Sequence, residues 1–335
     1  MSSQALISRT GMGEIGVTVL TERASPFDGV PLFCIMRNET YFLPHFLAHY
    51  RSIGITNFQI YLDSCDEEFV AMLEAESDVS LLTSSRYRYG DVLYTTPQGI
   101  PVKLGHFLKE SISNELMLGR WHAVVDADEF LILPPPMNAV AEYIAFLEER
   151  GQMYSFAPMV DFYPRRLRDR NHATHVAPFT GSPYFDAGPY HQLHPVTKQV
   201  LTINGGVRGR ILEYLRRNSL AELGKAGIRG SDLNLPTNFK FPLLKTDASL
   251  KRFAHHWINQ QHSLDNMSCI AHFKFYPDLD WKLSVARDEG QYFRSSIEYN
   301  ILKVAMDVLG DADLLFENSL AYTSPADLVT ARILG

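Results

Sequence analysis

Short apolar runs that alternate with helix-period stretches are the feature that most constrains this fold. The runs are PLFCIM (31–36), NFQIYLD (57–63), VSLLT (79–83) and HAVVD (122–126). Runs this short suit strands covered on both faces better than buried helices. After the first run, RNETYFLPHFLAHYRSIG places Phe46, Leu47, Tyr50 and Ile53 on one helical face. Pro44 is tolerated in its first turn, and Gly54 is a stop. DEEFVAMLEAE opens on acids, with Asp66 as the N-cap. Residues 101–118 are mostly helical in period. EFLIL (129–133) is a fifth strand, PPP (134–136) punctuates, and NAVAEYIAFLEERG is a helix ended by glycine. The alternation through residue 150 predicts an α/β fold, a mostly parallel central sheet flanked by helices.

In such sheets ligands bind beyond the carboxyl ends of the strands. Asp63, Asp126 and the Arg37-Asn38-Glu39 triplet all fall at those ends, so three polar clusters should converge on one edge. The second half is richer in Tyr, Pro, His and Gly. KRFAHHWIN and CIAHFKFYP read as strands with embedded histidines, and EGQYFRSSIEYNILKVAMDVL reads as a helix. His255 and His256 are adjacent, so in a strand they face opposite ways and make no metal pair. The expected plan is a polar lead-in with one short strand (1–30), one domain over 31–300 in two halves (31–150 and 151–300), and a helical tail (301–335).

The chain has 335 residues, 46% hydrophobic and 21% charged, which suits a globular protein with a sizeable core. Its formal charge of −7 argues against nucleic acid as a partner. Three scattered cysteines, Cys34, Cys65 and Cys269, make neither a zinc site nor a disulfide framework and suit a reducing compartment. The N-terminus lacks the pattern of a signal peptide, and no apolar run is long enough to span a membrane. The expected location is the cytoplasm, with peripheral contact at the inner membrane face allowed.

WHAVVDADEFLIL (121–133) interrupts an apolar run with Asp126 and Asp128. Carboxylates at a buried strand end are costly unless compensated. Two aspartates at i and i+2 can aim at one hard divalent cation such as Mg²⁺ or Mn²⁺. A solvated turn between two strands explains the same letters. A metal clamp predicts Asp126, Asp128 and Glu129 facing a cleft with their charge uncompensated by the chain.

VVDADEFLIL resembles the D-x-D-E-F element of glycosyltransferases with the GT-A (Rossmann-like) fold for nucleotide-diphospho-sugar transfer. The likeness is to the family-2-like bacterial group related to glycosyltransferase family 92 (DUF23-like). FCIMRNETYFLPHFLAHYRSIGITNFQIYLDSCDEE is similar to that group's opening, IAHFKFYPDLD to its H-F-K-F element, and EGQYFRSSIEYNIL to its closing helix. The resemblance covers roughly 31–300 in blocks. It implies a metal-dependent, inverting hexosyltransferase of polysaccharide assembly. A UDP- or GDP-sugar is the implied donor, and a glycan, lipid-linked saccharide or protein the acceptor. It places Asp126 and Asp128 at the metal and diphosphate, with His272 as a further metal ligand. It places Asn38, Glu39 and Asp63 around the nucleotide, and Lys274 at the diphosphate. The second half would build the acceptor side.

Each position has a plainer role as well. Asp63 can begin a turn, Glu39 can be a first-turn helix acid, His272 a hydrogen-bonded core histidine and Lys274 plain surface. Inverting transfer needs a base for the acceptor hydroxyl. Asp161 and Asp186 are the candidates, on the expectation that burial raises their pKa. Ion pairing with nearby arginines is the alternative. Arg208 and Arg210, in NGGVRGRILEYLRR, could clamp phosphate or could be solvated helix residues. Three rival readings remain. A haloacid-dehalogenase-like phosphohydrolase would use Asp126 as nucleophile. A sugar nucleotidyltransferase would need a glycine-rich loop that RNETYFLP lacks. An inactive relative would only bind carbohydrate.

Overall fold

The computed structural model describes the chain except residues 1, 171–172, 189, 197–199, 203–204, 235–237, 254–256, 261–263, 265–266, 291–292 and 335. It also omits the side chains of 191–193, 200–202 and 293–295. His255 and His256 therefore lie outside the described residues. The protein is mixed α/β and divides into two compact units. One comprises Met1–Ala157 with Lys240–Asn266, the other Pro158–Phe239 with Met267–Gly335.

The first unit is built on a six-stranded sheet. Its order is Thr18–Thr21, Val79–Thr83, Phe58–Leu62, Leu32–Met36, Trp121–Val124 and Leu243–Lys245. The four inner strands are parallel. Both edge strands run antiparallel to their neighbours. The four strands expected from the apolar runs are thus all present, and adjacent.

Strand alternation separates two packed faces. Phe33, Tyr61, Leu82 and Val124 join one cluster with Leu104, Leu108, Ile112 and Leu116 from the helical stretch Leu104–Leu116. On helix Phe42–Ser52, Phe46 packs against Phe58 and Phe130, with ring centres 6.4 and 6.3 Å apart. The Tyr50 hydroxyl donates to the Glu129 carbonyl (2.9 Å) and accepts the Leu131 N–H (3.1 Å), which anchors the strand Glu129–Ile132. Asp66 caps helix Glu67–Glu74 through the Phe69 N–H.

The first 30 residues are more than a lead-in. Ile7, Met12 and Val17 are buried in the same cluster as Phe33 and Tyr61. The last residues of the unit arrive from far along the chain. Helix Leu104–Ser111 ends in a π-turn, Ile112–Leu116. There the Asn114 side chain exchanges two hydrogen bonds with the Arg252 backbone, at 2.7 and 2.9 Å. A π-turn offsets side chains from the regular helical face, and here that offset meets the returning segment.

In the second unit, Ala157–Asp161 and Cys269–His272 pair in parallel, with His272 opposite Asp161. Phe162, Phe179, Phe185, Phe273 and Tyr322 form its aromatic core, with ring centres about 5 Å apart. The expected helical tail contains a strand, Ser319–Ala321, that pairs antiparallel with Tyr184–Asp186. Helix Gly206–Asn218 buries Val207, Ile211 and Leu215. Its first residue has φ +74°, and a Cβ there would lie 2.4 Å from the Tyr190 hydroxyl, so only glycine fits. No helix among the described residues is long and apolar enough to cross a membrane.

Candidate functional site

The carboxyl ends of three adjacent parallel strands in the first unit gather the expected polar residues. Asn38 and Glu39 follow Leu32–Met36, Asp63 follows Phe58–Leu62, and Asp126 follows Trp121–Val124. Asp63 is 4% exposed and accepts the Tyr89 N–H at 2.8 Å. Asn38 and Ser64 both have left-handed backbones, φ +53° and +56°. Such conformations cost energy outside glycine and mark tightly determined turns. Asn38 accepts the Asp66 N–H at 3.0 Å and ties the two turns together. Glu39 accepts the Arg37 N–H within its own turn. These two residues therefore shape the turns at this edge.

A cavity of about 490 Å³ opens at this edge, beyond Leu62 and Thr83. Ser64, Ser84, Arg86, Arg88 and Asp91 supply its polar lining. The sequence reading did not single out the two arginines. A cavity of this size, with cations and hydroxyls at a parallel-sheet edge, suits a small anionic ligand.

Asp126 and Asp128 are half-buried in the turn between strands Trp121–Val124 and Glu129–Ile132, with buried Ala127 between them. The turn closes on itself. The Glu129 N–H donates to the Asp126 carbonyl (3.1 Å), and the Asp126 N–H donates to the Glu129 carboxylate (3.0 Å). For Asp126 and Glu129 the expectation of carboxylates without a compensating cation is overturned. Lys109 Nζ donates to one oxygen of Asp126 at 2.6 Å, and Lys240 Nζ to the other at 2.5 Å. Lys240 also bridges to Glu129. Both lysines are buried, at 2% and 4% exposure.

Two carboxylates and two ammonium groups make the cluster electroneutral by itself. Burial depresses the Lys109 pKa, and neighbouring Lys240 adds to this, with Asp126 opposing. Burial also acts to lower Lys240, but Asp126 and Glu129 outweigh it and the pKa rises. Arg252, 3% exposed, is pushed down to about 10 by burial, an effect that Asp126, Glu110 and Glu129 partly offset.

A divalent ion on Asp126 does not fit this arrangement. It would share each carboxylate oxygen with an ammonium group and meet strong like-charge repulsion. This bears on Asp126 alone: Asp128 and the buried Glu129 each offer a carboxylate oxygen, within 4.8 Å of one another, so the turn itself keeps two oxygen donors close enough to share one ion.

The second unit holds two charged networks. Arg208 grips Asp161 through both oxygens, at 3.0 and 2.5 Å. His272, its register neighbour, places Nδ1 2.6 Å from the same carboxylate. Arg208 also reaches Asn238 (3.3 Å) and Glu298 (3.2 Å). The expected upward shift of Asp161 is reversed. Burial pushes its pKa up, but Arg208 and His272 outweigh that and hold it at about 2. Glu298 is treated alike: burial raises it, while Lys274, Arg208 and His272 together bring it below the usual range. Lys274 lies 5.6 Å from the ring centre of Tyr299. A carboxylate on Nδ1 is also how metal-bound histidines are oriented.

Asp186 forms the second network. It binds Arg210 at 2.8 and 3.0 Å, the Tyr163 hydroxyl, and Ser319 at 3.3 Å. Arg208 and Arg210 are therefore neither phosphate clamps nor solvated helix residues here. They are the counter-ions of the two aspartates proposed as bases. The sequence reading missed Lys109 and Lys240. The only trace of Lys240 is one lysine between two phenylalanines in FKF, which strand alternation places opposite both rings.

No known protein family and no curated protein matches this chain.

Proposed function

We propose that this protein is a GT-A-type glycosyltransferase that moves a sugar from a UDP- or GDP-sugar to a saccharide-containing acceptor. The acceptor class is a glycan, a lipid-linked saccharide or a protein in polysaccharide assembly. One observation carries the reading. Asn38–Glu39, Asp63 and the Asp126–Asp128 turn follow three adjacent parallel strands and so share one edge of the sheet. That is where α/β sheets bind nucleotides. The D-A-D-E-F wording of the turn adds the link to glycosyl transfer.

In the reaction, the acceptor oxygen bonds to the anomeric carbon as the bond from that carbon to the diphosphate breaks. The electron pair leaves on the nucleoside diphosphate, and the acceptor proton passes to a base. Asp161, held at about 2, is a poor base near neutrality. Asp186 is fully engaged by Arg210, Tyr163 and Ser319. Neither is assigned the proton. The inverting course and a hexose donor belong to the same proposal. No step is routed through a divalent ion.

The test is a donor screen by nucleotide release, with calorimetric titration of UDP and GDP. Release of a nucleoside diphosphate that depends on acceptor supports the proposal. An aspartyl-phosphate trapped at Asp126 would replace it with a phosphohydrolase. Sugar binding without nucleotide binding would replace it with a carbohydrate-binding role.

A further inference from the structure

We propose that the cavity beyond Leu62 and Thr83 is a site for the phosphoryl group of a small ligand, with Arg86 and Arg88 supplying the positive charge. This inference stands apart from the glycosyltransferase reading, and either can fail without the other.

The cavity is separate from the Asp126 turn. It lies at the ends of strands Phe58–Leu62 and Val79–Thr83, lined by Ser64, Cys65 and residues 83–88. The Asp126 turn follows Trp121–Val124, two strands along the sheet from Phe58–Leu62. At about 4.8 Å per strand, that is roughly 10 Å away.

The charge in the cavity is one-sided. Among the described residues that line it, Asp91 is the one acid, and its carboxylate accepts the Arg88 backbone N–H at 2.7 Å. The Arg88 guanidinium has no hydrogen bond or ion pair among the described residues. Arg86 makes one long contact, from Nη1 to the Glu14 carbonyl at 3.4 Å. Other exposed arginines in this chain of net charge −7 are met by carboxylates: Arg51 by Glu76 and Asp78, Arg165 by Asp313, Arg168 by Asp311. Two arginines that no carboxylate answers, in one cavity of about 490 Å³, point to an anion from outside the chain.

The loop that carries both arginines is tied down. The Arg86 N–H donates to Ser84 Oγ (3.2 Å), the Tyr89 N–H to the Asp63 carboxylate (2.8 Å), and the Asp91 N–H to the Arg88 carbonyl (2.9 Å). The Asp91 carbonyl accepts the Leu104 N–H at 2.9 Å. The Arg86 side chain lies against Gly16, where a Cβ would meet Nε at 3.0 Å. A fixed backbone under the arginines lowers the ordering cost of binding. Two guanidinium forks suit a dianion with several terminal oxygens, and a phosphate monoester carries about −1.5 to −2 near neutrality. Ser64 and Ser85 bring hydroxyls to the same cavity, and Leu20, Leu62 and Val70 give it an apolar wall for the rest of the ligand.

The experiment is calorimetric titration of the full chain with inorganic phosphate, glucose 1-phosphate and glucuronate. Phosphate and glucose 1-phosphate should compete for one site, and glucuronate should bind about tenfold more weakly than glucose 1-phosphate, having one charge and two oxygens to offer. Tighter binding of glucose 1-phosphate than of phosphate supports the site and assigns it a monoester; equal binding supports it and assigns it free phosphate. Arg88→Gln and Arg86→Gln should each weaken phosphate binding about tenfold or more, as the loss of a charge-assisted contact. Lys225→Gln removes an exposed cation elsewhere and should change it less than twofold. An equal loss in Lys225→Gln would mean diffuse attraction and overturn the proposal. So would glucuronate binding as tight as glucose 1-phosphate, or no binding of either phosphate compound that depends on Arg88. None of these results bears on nucleotide release in the donor screen.

Discussion

Replacing Arg208 with methionine tests the electrostatics of the second unit most directly. Asp161 is 1% exposed, and Arg208 supplies two of its hydrogen bonds. Methionine keeps much of the volume and removes the charge. Breaking a buried ion pair from one side typically costs about 3–5 kcal/mol, because the remaining charge is stranded. The pH dependence carries a sharper signature. In the wild type the Asp161 pKa is depressed from 3.8 to about 2. That depression corresponds to about 2 kcal/mol of stability. It is fully present above pH 3.8 and lost as pH falls toward 2. In Arg208→Met burial dominates, so the Asp161 pKa rises above its unfolded value and its ionisation then opposes folding. The stability gap between the two proteins should be widest at neutral pH and close in acid, as Asp161 takes up its proton. Urea unfolding at pH 7 and pH 4, followed by circular dichroism, measures both gaps. Asp161→Asn alone and combined with Arg208→Met completes a double-mutant cycle. A loss below about 1 kcal/mol at pH 7, or an equal gap at both pH values, would refute the argument.

Other expectations follow from the same structure. His49 and His122 are buried neutral, with burial pushing their pKa down to about 4 and about 3 against smaller opposing backbone hydrogen bonds. Each contributes stability above pH 6.5 that drains away toward those values, about 2 kcal/mol apiece by pH 5; a flat stability profile from pH 7 to 5 would contradict this. Tyr50→Phe removes the hydroxyl that joins Glu129 and Leu131, and should cost about 1–3 kcal/mol in thermal unfolding. No change in that variant would mean the strand after the D-A-D turn needs no such anchor. Gly206→Ala should destabilise by about 1–3 kcal/mol, because its Cβ meets the Tyr190 hydroxyl and its φ is positive. Tyr190→Phe in the same chain should recover part of that loss, and no recovery would point to backbone strain alone.

Much of the first unit could be read from the sequence, because its strands are short apolar runs with polar breaks. Phe58–Leu62 and Val79–Thr83 declare themselves by run length, and helix Glu67–Glu74 by the acid that caps it. The opening 30 residues were not legible in the same way. Ile7, Met12 and Val17 are spaced five apart, which matches neither helix nor strand period, and only tertiary packing unites them. The carboxylates of the candidate site were visible, but their partners were not. Lys109 and Lys240 are 131 positions apart, and nothing local in either says that both end on Asp126. Asp161 was expected to behave as a buried carboxylate with raised pKa. Its register neighbour His272 and the helix residue Arg208 reverse that, and both contacts are set by topology.

The path of the chain also orders its own synthesis. The first unit is interrupted after Ala157 and resumes only at Lys240. A nascent chain that has emerged through residue 200 already contains the parallel strands and the D-A-D turn. It still lacks both the edge strand Leu243–Lys245 and the ammonium group that joins Asp126 to Glu129. The turn therefore reaches charge balance only after a whole stretch of the other unit has left the ribosome, and a truncated chain ending at residue 157 would be an incomplete fold with an unbalanced site.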